Sequence, residues 1–328
     1  MNRIRNIHQP YNYSFTLMYE EFPKEFLEVL GAPGKFVRKA NTHVKLPGGK
    51  IGEMDASYIA DPDGKTIFER CLILLEHQRL VVRLKKGFMI SNYVIQGVSD
   101  EKLPYYIAIA SHQESAKHLQ EYERTKSFVM RLNFIDLGER DNWERLNRIR
   151  NKLRFNKNLT LKDGLNLATA VLFIPEDCTK ERTREALHYL RKAKFKSKRL
   201  EFVLYAVFYC MIDAYFEDQE EFDRMIDMLD QNASKETTEK FDSIMRIENK
   251  WENRLKNMEI ELNEKNSELD EKNSELDEKN AEINKTNSEK ETAYDFIKIL
   301  LTDFVDKNDE KVKKILKSHP NILKNCKL

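Results

Sequence analysis

GKIGEMDASYIADPDGKTIFERCLILLEHQ, residues 49–78, is the stretch on which the fold turns. Two strand-like runs, residues 51–60 and 67–76, flank ADPDGKT, a strong turn signal, so the segment predicts a hairpin. The first run carries Asp55 and the second ends on Glu76-His77-Gln78. For Asp55 and Glu76 to lie side by side, the hairpin must be centred near residues 65–66. Its loop then takes up most of residues 61–70. An apolar run such as CLILL that ends in a carboxylate is costly unless the acid is at an edge or paired. Two carboxylates on neighbouring strands, plus one backbone carbonyl, make an oxygen-rich half-shell suited to Mg2+ or Mn2+. Spacing alone is a weak signal, because carboxylates at strand ends are commonly just solvated.

The flanking sequence adds context. Residues 14–31 repeat apolar side chains at helical spacing and stop at Gly31. Residues 80–97, LVVRLKKGFMISNYVIQG, return to helical spacing, with Arg79, Arg83, Lys85 and Lys86 around the first turns. Cations at a helix start oppose the helix dipole, and their placement makes better sense beside a polyanion. YYIAIA (residues 105–110) and LNFIDL (residues 132–137) are two further strands. The order helix, hairpin, helix, strand, strand predicts an α/β layer with one mixed sheet.

LLEHQ at a strand end, an aspartate on its hairpin partner, and LPYYIAIA and LNFIDLGE as the next two strands resemble the PD-(D/E)xK nuclease superfamily. More narrowly, the segment is similar to the Rpn-type recombination-promoting nucleases, which are associated with transposases. The resemblance covers residues 10–140. It implies a metal-dependent DNA endonuclease with Asp55, Glu76 and Gln78 as catalytic residues. Asp55, Glu76 and the His77 carbonyl would hold Mg2+ or Mn2+, with Glu21 or Glu25 as a further contact. Arg79, Arg83, Lys85, Lys86 and Tyr93 would meet DNA. Two departures stand out. Gln78 occupies the superfamily's lysine position, where it supplies neither a positive charge nor a base. Leu80-Val81-Val82 also makes the expected helix start unusually apolar. A catalytically inactive nuclease-fold protein, acting as a dimeric scaffold that binds DNA or protein, is the alternative. The His77 side chain alternates away from Glu76, which favours a structural role. His112 and His118 lack the ligand spacing of zinc proteases.

The 328-residue chain balances 56 Lys+Arg against 55 Asp+Glu, a net charge of +1. That excludes a highly basic nucleic-acid coat and an acidic disordered tail, but not local patches. Residues 180–200 carry nine Lys/Arg against Glu181 and Glu185, and residues 213–230 carry eight acids against Arg224. The run Lys194-Phe195-Lys196-Ser197-Lys198-Arg199 is suited to DNA backbone, to the acidic stretch, or to water. The longest apolar run, residues 202–216, contains Asp213 and falls short of the roughly 20 residues a bilayer span needs, so it predicts a buried helix. With no secretory signal at its start and with Cys71, Cys178, Cys210 and Cys326 far apart, the chain reads as soluble and cytoplasmic.

A seven-residue repeat, ELNEKNS-ELDEKNS-ELDEKNA-EINKTNS, fills residues 261–288. Leu255, Leu262, Leu269, Leu276 and Ile283 share one heptad position. Reading it as d sets Asn266, Asn273, Asn280 and Asn287 at a, lysines at g, and Asp270 and Asp277 at e. A parallel homodimer pairs Lys265 with Asp270 and Lys272 with Asp277 across the interface, whereas an antiparallel pair sets like against like. A solvated single helix is the other reading. The expected divisions are residues 1–140, a nuclease-like α/β domain; 141–233, helical; 234–291, a long helix with a coiled coil; and 292–328, a short helical cap.

Overall fold

The computed structural model describes residues 3–45, 51–193, 195–299 and 310–318. The chain opens with α1 (Pro10–Glu21) and α2 (Pro23–Leu30), which the sequence had suggested as one helix. Pro23 divides them, since a proline interrupts the helical ladder but suits a first helical position. Gly31 ends α2 at φ 73°, a left-handed conformation that glycine adopts without strain. The strands that follow are β1 (Lys35–Lys39), β2 (His43–Lys45), β3 (Ile51–Glu53), β4 (Ala56–Asp61) and β5 (Cys71–Gln78). Next come α3 (Leu84–Glu101), β6 (Tyr105–Ser111), β7 (Glu121–Thr125), β8 (Phe128–Arg131) and β9 (Asn133–Asp136).

One mixed sheet, in the order β1-β4-β5-β6-β9, organises this half. β1, β4 and β5 are antiparallel neighbours, while β5, β6 and β9 run parallel. The pleat divides the apolar side chains between two cores. Ala56, Tyr58, Ile73 and Leu75 face α1, α2 and the later helices, whereas Ile59, Leu72, Leu74 and Ile109 face α3. The connection between β4 and β5 is ordered by Asp63. Its Oδ1 accepts hydrogen bonds from the amides of Lys65, Thr66 and Ile67, at 2.8, 2.8 and 3.0 Å. These donors and the Thr66 hydroxyl, which bonds its other oxygen, hold the Asp63 carboxyl well below the usual carboxylate range.

The helices α4 (Glu139–Arg154), α5 (Leu161–Leu172), α6 (Thr179–Lys192), α7 (Lys198–Tyr215) and α8 (Gln219–Asp230) follow, then α9 (Lys235–Ile299) and α10 (Glu310–Ser318). The expected boundary after residue 140 does not separate compact bodies. The two units are Met1–Asn249 and Lys250–Leu328, and α4 to α8 share one core with α1 and α2. The apolar run at 202–216 is the centre of that core: thirteen of the eighteen residues of α7 are buried. Asp213 is tolerated there because the amides of Asn6 and Ile7 donate to it, and Arg5 pairs with it at 3.2 Å. Among the described residues, no helix is long and apolar enough to cross a membrane.

The acidic stretch draws partners from the N-terminal segment and from the start of the basic stretch at 180–200. Arg3 meets Asp223 at 2.8 Å, and Lys180 and Arg184 both meet Glu221. Within the basic run, Arg199 pairs with Glu21 and Lys198 with Glu236, while Lys194 lies outside the described residues. In the second unit the heptad stripe is uncovered: Leu262, Leu269, Leu276 and Ile283 are each more than half exposed. The side chain of Leu255, and the expected cap other than residues 292–299 and α10, lie outside the described residues.

Candidate active site

Ala56 pairs with Leu75 and Ala60 with Cys71, so the hairpin is centred between residues 65 and 66. One step beyond Ala56, the same register sets Asp55 opposite Glu76. The His77 amide donates to Asp55 Oδ2 at 2.7 Å, which ties the aspartate to the end of β5. Glu76 is 4% exposed. Lys86 Nζ, from the first turn of α3, forms an ion pair with its Oε1, and its Oε2 has no hydrogen-bond partner. Burial pushes the Asp55 carboxyl up to about 8; the Glu76 charge adds to the shift, while the His77 amide and Lys86 oppose it. Burial likewise raises Glu76, against the pull of Lys86. Two carboxyls this close in a poorly solvated place titrate as a pair. Lys86 places the negative charge on Glu76 and leaves a proton on Asp55.

Lys86 is thus the partner of Glu76 at the cleft, a pairing that the sequence does not suggest. Tyr93 lies two turns along the same face of α3 and is also turned inward, 2% exposed. Its hydroxyl donates to the Glu53 carbonyl at 2.9 Å, fixing the chain two residues before Asp55. The helix begins at Leu84, later than expected, so Arg79 and the apolar Leu80-Val81-Val82 belong to the preceding loop. Arg79 stacks over the Tyr11 ring at 4.5 Å. Arg83 and Lys85 are exposed. Glu21 is engaged by Arg199, and Glu25 lies on α2, so the geometry brings neither to the carboxylates.

The His77 side chain leaves the opposite face of the sheet. It stacks on Phe15 with ring centres 5.3 Å apart and approaches Phe173 edge-on. Its Nε2 lies 3.0 Å from His112 Nε2, and its Nδ1 lies 3.3 Å from Asn12 Oδ1. Burial holds His77 well below its ordinary value and His112 down to about 3. Both rings are therefore neutral at physiological pH and serve as packing. His118 has a different structural duty. Its Nδ1 accepts from the Val82 amide at 2.8 Å and its Nε2 lies 2.8 Å from Ser111 Oγ, which pins the β5–α3 loop to β6.

A cleft of about 400 Å3 opens at this end of β5. Glu76, Gln78, Arg79 and Lys86 line it, with Gln9, Tyr11 and Asn12 of the N-terminal region forming part of the wall. These last three carried no motif in the sequence. A larger cavity, about 1030 Å3, lies against Arg3, Arg5 and the acidic α8 and shares no lining residue with this cleft. Among the described residues, no three His, Cys, Asp or Glu side chains gather in a metal-holding group. The oxygen set at this end of β5 is the Glu76 carboxylate in the cleft, the Asp55 carboxyl bonded to the His77 amide and, by its place in the chain, the His77 carbonyl. The unpartnered Glu76 Oε2 and the protonated Asp55 fit a divalent cation, because such an ion satisfies the orphan oxygen and displaces the proton. No family model, curated protein or solved structure matches the chain.

Proposed function

We propose that this chain is a metal-dependent DNA endonuclease of the recombination-promoting, transposase-associated type. The observation that carries the reading is the opposed Asp55–Glu76 pair, with Glu76 buried at a cleft, one of its oxygens unpartnered and a lysine at hand. Asp55, Glu76 and the His77 carbonyl are the groups to hold Mg2+ or Mn2+. When bound, the ion activates water and polarises the phosphoryl group. Lys86 supplies the cation that Gln78 lacks: once the carboxylates are engaged by metal, its ammonium is available to a phosphate oxygen or to the attacking water. The Gln78 amide orients by hydrogen bonding and moves no proton. Arg79, Arg83 and Lys85 supply cations for the phosphate backbone. The exposed heptad stripe supports a parallel homodimer, and double-strand cutting needs two sites, one for each strand.

Purified protein is expected to nick supercoiled plasmid in Mg2+ or Mn2+, and Asp55→Ala and Glu76→Ala preparations to lose that activity. If both variants nick as fast as wild type, the activity is a contaminant and the reading fails. That no three His, Cys, Asp or Glu side chains gather in a metal-holding group among the described residues favours one other reading, a nuclease-like fold that binds DNA or protein without cutting. Calorimetric titration separates them, since a scaffold takes up no Mn2+ at Asp55 and Glu76.

A further inference from the structure

Leu80, which lines the cleft, and Leu84 and Phe88 on α3 are large apolar side chains that stand in water. Leu80 is 65% exposed, Leu84 67% and Phe88 44%. They do not sit on a mobile tether. Val82, between the two leucines, is buried; its amide donates to His118 Nδ1 at 2.8 Å and its carbonyl accepts from the Leu119 amide at 3.0 Å. Leu84 and Phe88 share the outward face of α3, opposite the face that sends Lys86 and Tyr93 inward. The chain segment that carries the ridge has charges of one sign. From residue 77 to residue 99 the chain contains no Asp or Glu. Arg83 and Lys85 flank Leu84, and among the described residues neither forms an ion pair. Arg124, from β7, lies over the Phe88 ring at 5.4 Å.

An apolar ridge with Arg83, Lys85 and Arg124 beside it fits a polyanion whose interior is flat and apolar. We infer that Leu80 and Leu84 form a wedge that enters a disrupted base step, with Arg83 and Lys85 on the flanking phosphates and Phe88 extending the apolar floor. Side chains of this kind unstack base steps and kink duplexes, and such insertion is easiest where pairing is already lost. The substrate class is therefore DNA with unpaired or weakly stacked bases, in preference to a continuous duplex. This inference rests on the nuclease reading above.

Fluorescence anisotropy in EDTA, so that nothing is cut, tests it with the full chain and two labelled DNAs. One is a fully paired duplex and the other the same sequence with a central mismatch bubble. The wild type is expected to bind the bubble at least about tenfold tighter. Leu80→Ser/Leu84→Ser should remove most of that preference and change duplex binding less than about threefold. Arg83→Ala/Lys85→Ala should weaken both alike and flatten the salt dependence by about two phosphates. Both leucines are exposed, and circular dichroism checks that the double serine variant is folded. Equal binding of the two DNAs by wild type, or a preference that survives the serines, overturns the wedge and leaves the nuclease reading standing. Binding of neither DNA overturns both. If the serines alter sedimentation and leave DNA binding untouched, the ridge is a protein contact and the wedge is wrong.

Discussion

Replacing Lys86 with methionine isolates the ion pair at the centre of the site. Lys86→Met keeps most of the apolar stem and removes the only cation bonded to Glu76 among the described residues. The stranded carboxylate has one ready escape, which is to take up a proton. From a reference value of 4.5, protonation at pH 7 costs about 3.4 kcal/mol, at about 1.36 kcal/mol per pH unit. That figure caps the loss. The lysine side chain is 25% exposed, so water recovers part of it, and the expected loss is about 2–3 kcal/mol at pH 7. In the variant the folded carboxyl has a higher pKa than the unfolded one. The folded state then binds more protons, and stability falls as pH rises above about 4.5. The ceiling at pH 5.5 is accordingly about 1.4 kcal/mol. Urea denaturation at the two pH values reads both numbers. Glu76→Gln/Lys86→Met should recover most of the loss, because no charge remains to be stranded. A single variant within about 0.5 kcal/mol of wild type at pH 7, or equally destabilised at pH 5.5, refutes the assignment of the charge to Glu76.

Four further outcomes are expected. Asp55→Asn should stabilise the metal-free protein at pH 8 by about 1–3 kcal/mol, since the raised carboxyl pKa costs stability above about pH 4 and an amide avoids that cost; equal urea midpoints refute it. His77 and His112 stay neutral in the fold, so each should remove about 2 kcal/mol as pH falls from well above 6.5 to 5; a His77→Phe/His112→Phe variant should lack this acid limb in thermal melts. Tyr93→Phe should cost about 1 kcal/mol through the lost Glu53 hydrogen bond and weaken Mn2+ uptake by calorimetry, with metal uptake unchanged if the tyrosine only packs. Leu269→Lys/Leu276→Lys should halve the sedimenting mass at micromolar concentration; an unchanged mass excludes the heptad stripe as the dimer contact.

The hairpin was legible because its two ends carry the constraint. Asp55 and Glu76 demanded a centre near residues 65–66, and the Asp63 turn delivers it. α7 was legible from its unbroken apolar run. The sequence gives no sign of the bond from Lys86 to Glu76, although the spacing of Lys86 to Ile90 and Tyr93 puts all three on one helical face. A cation on a buried face violates the usual polarity pattern, so only the carboxylate waiting beneath it explains the direction. The β7–β8 hairpin escaped notice because EYERT and FVMR alternate weakly, and β7 presents mostly charged residues to water. The break at Pro23 was readable, and the helical spacing on either side hid it. Two partners of the acidic α8, Lys180 and Arg184, come from the basic stretch at 180–200, whereas Arg3 was out of reach, separated from Asp223 by 220 residues of chain.

The tandem heptads of α9 make its length adjustable. One repeat adds about 10.5 Å of rise and turns the helix by about 20° short of two full revolutions. A gene that gains or loses whole units, as tandem copies do when they misalign during replication, lengthens or shortens the rod while nearly preserving the orientation of its leucine face. A loss of one or two residues would instead rotate that face away. Copy number can therefore drift between related chains with little penalty, and phase cannot. Variation along residues 261–288 is expected in steps of seven.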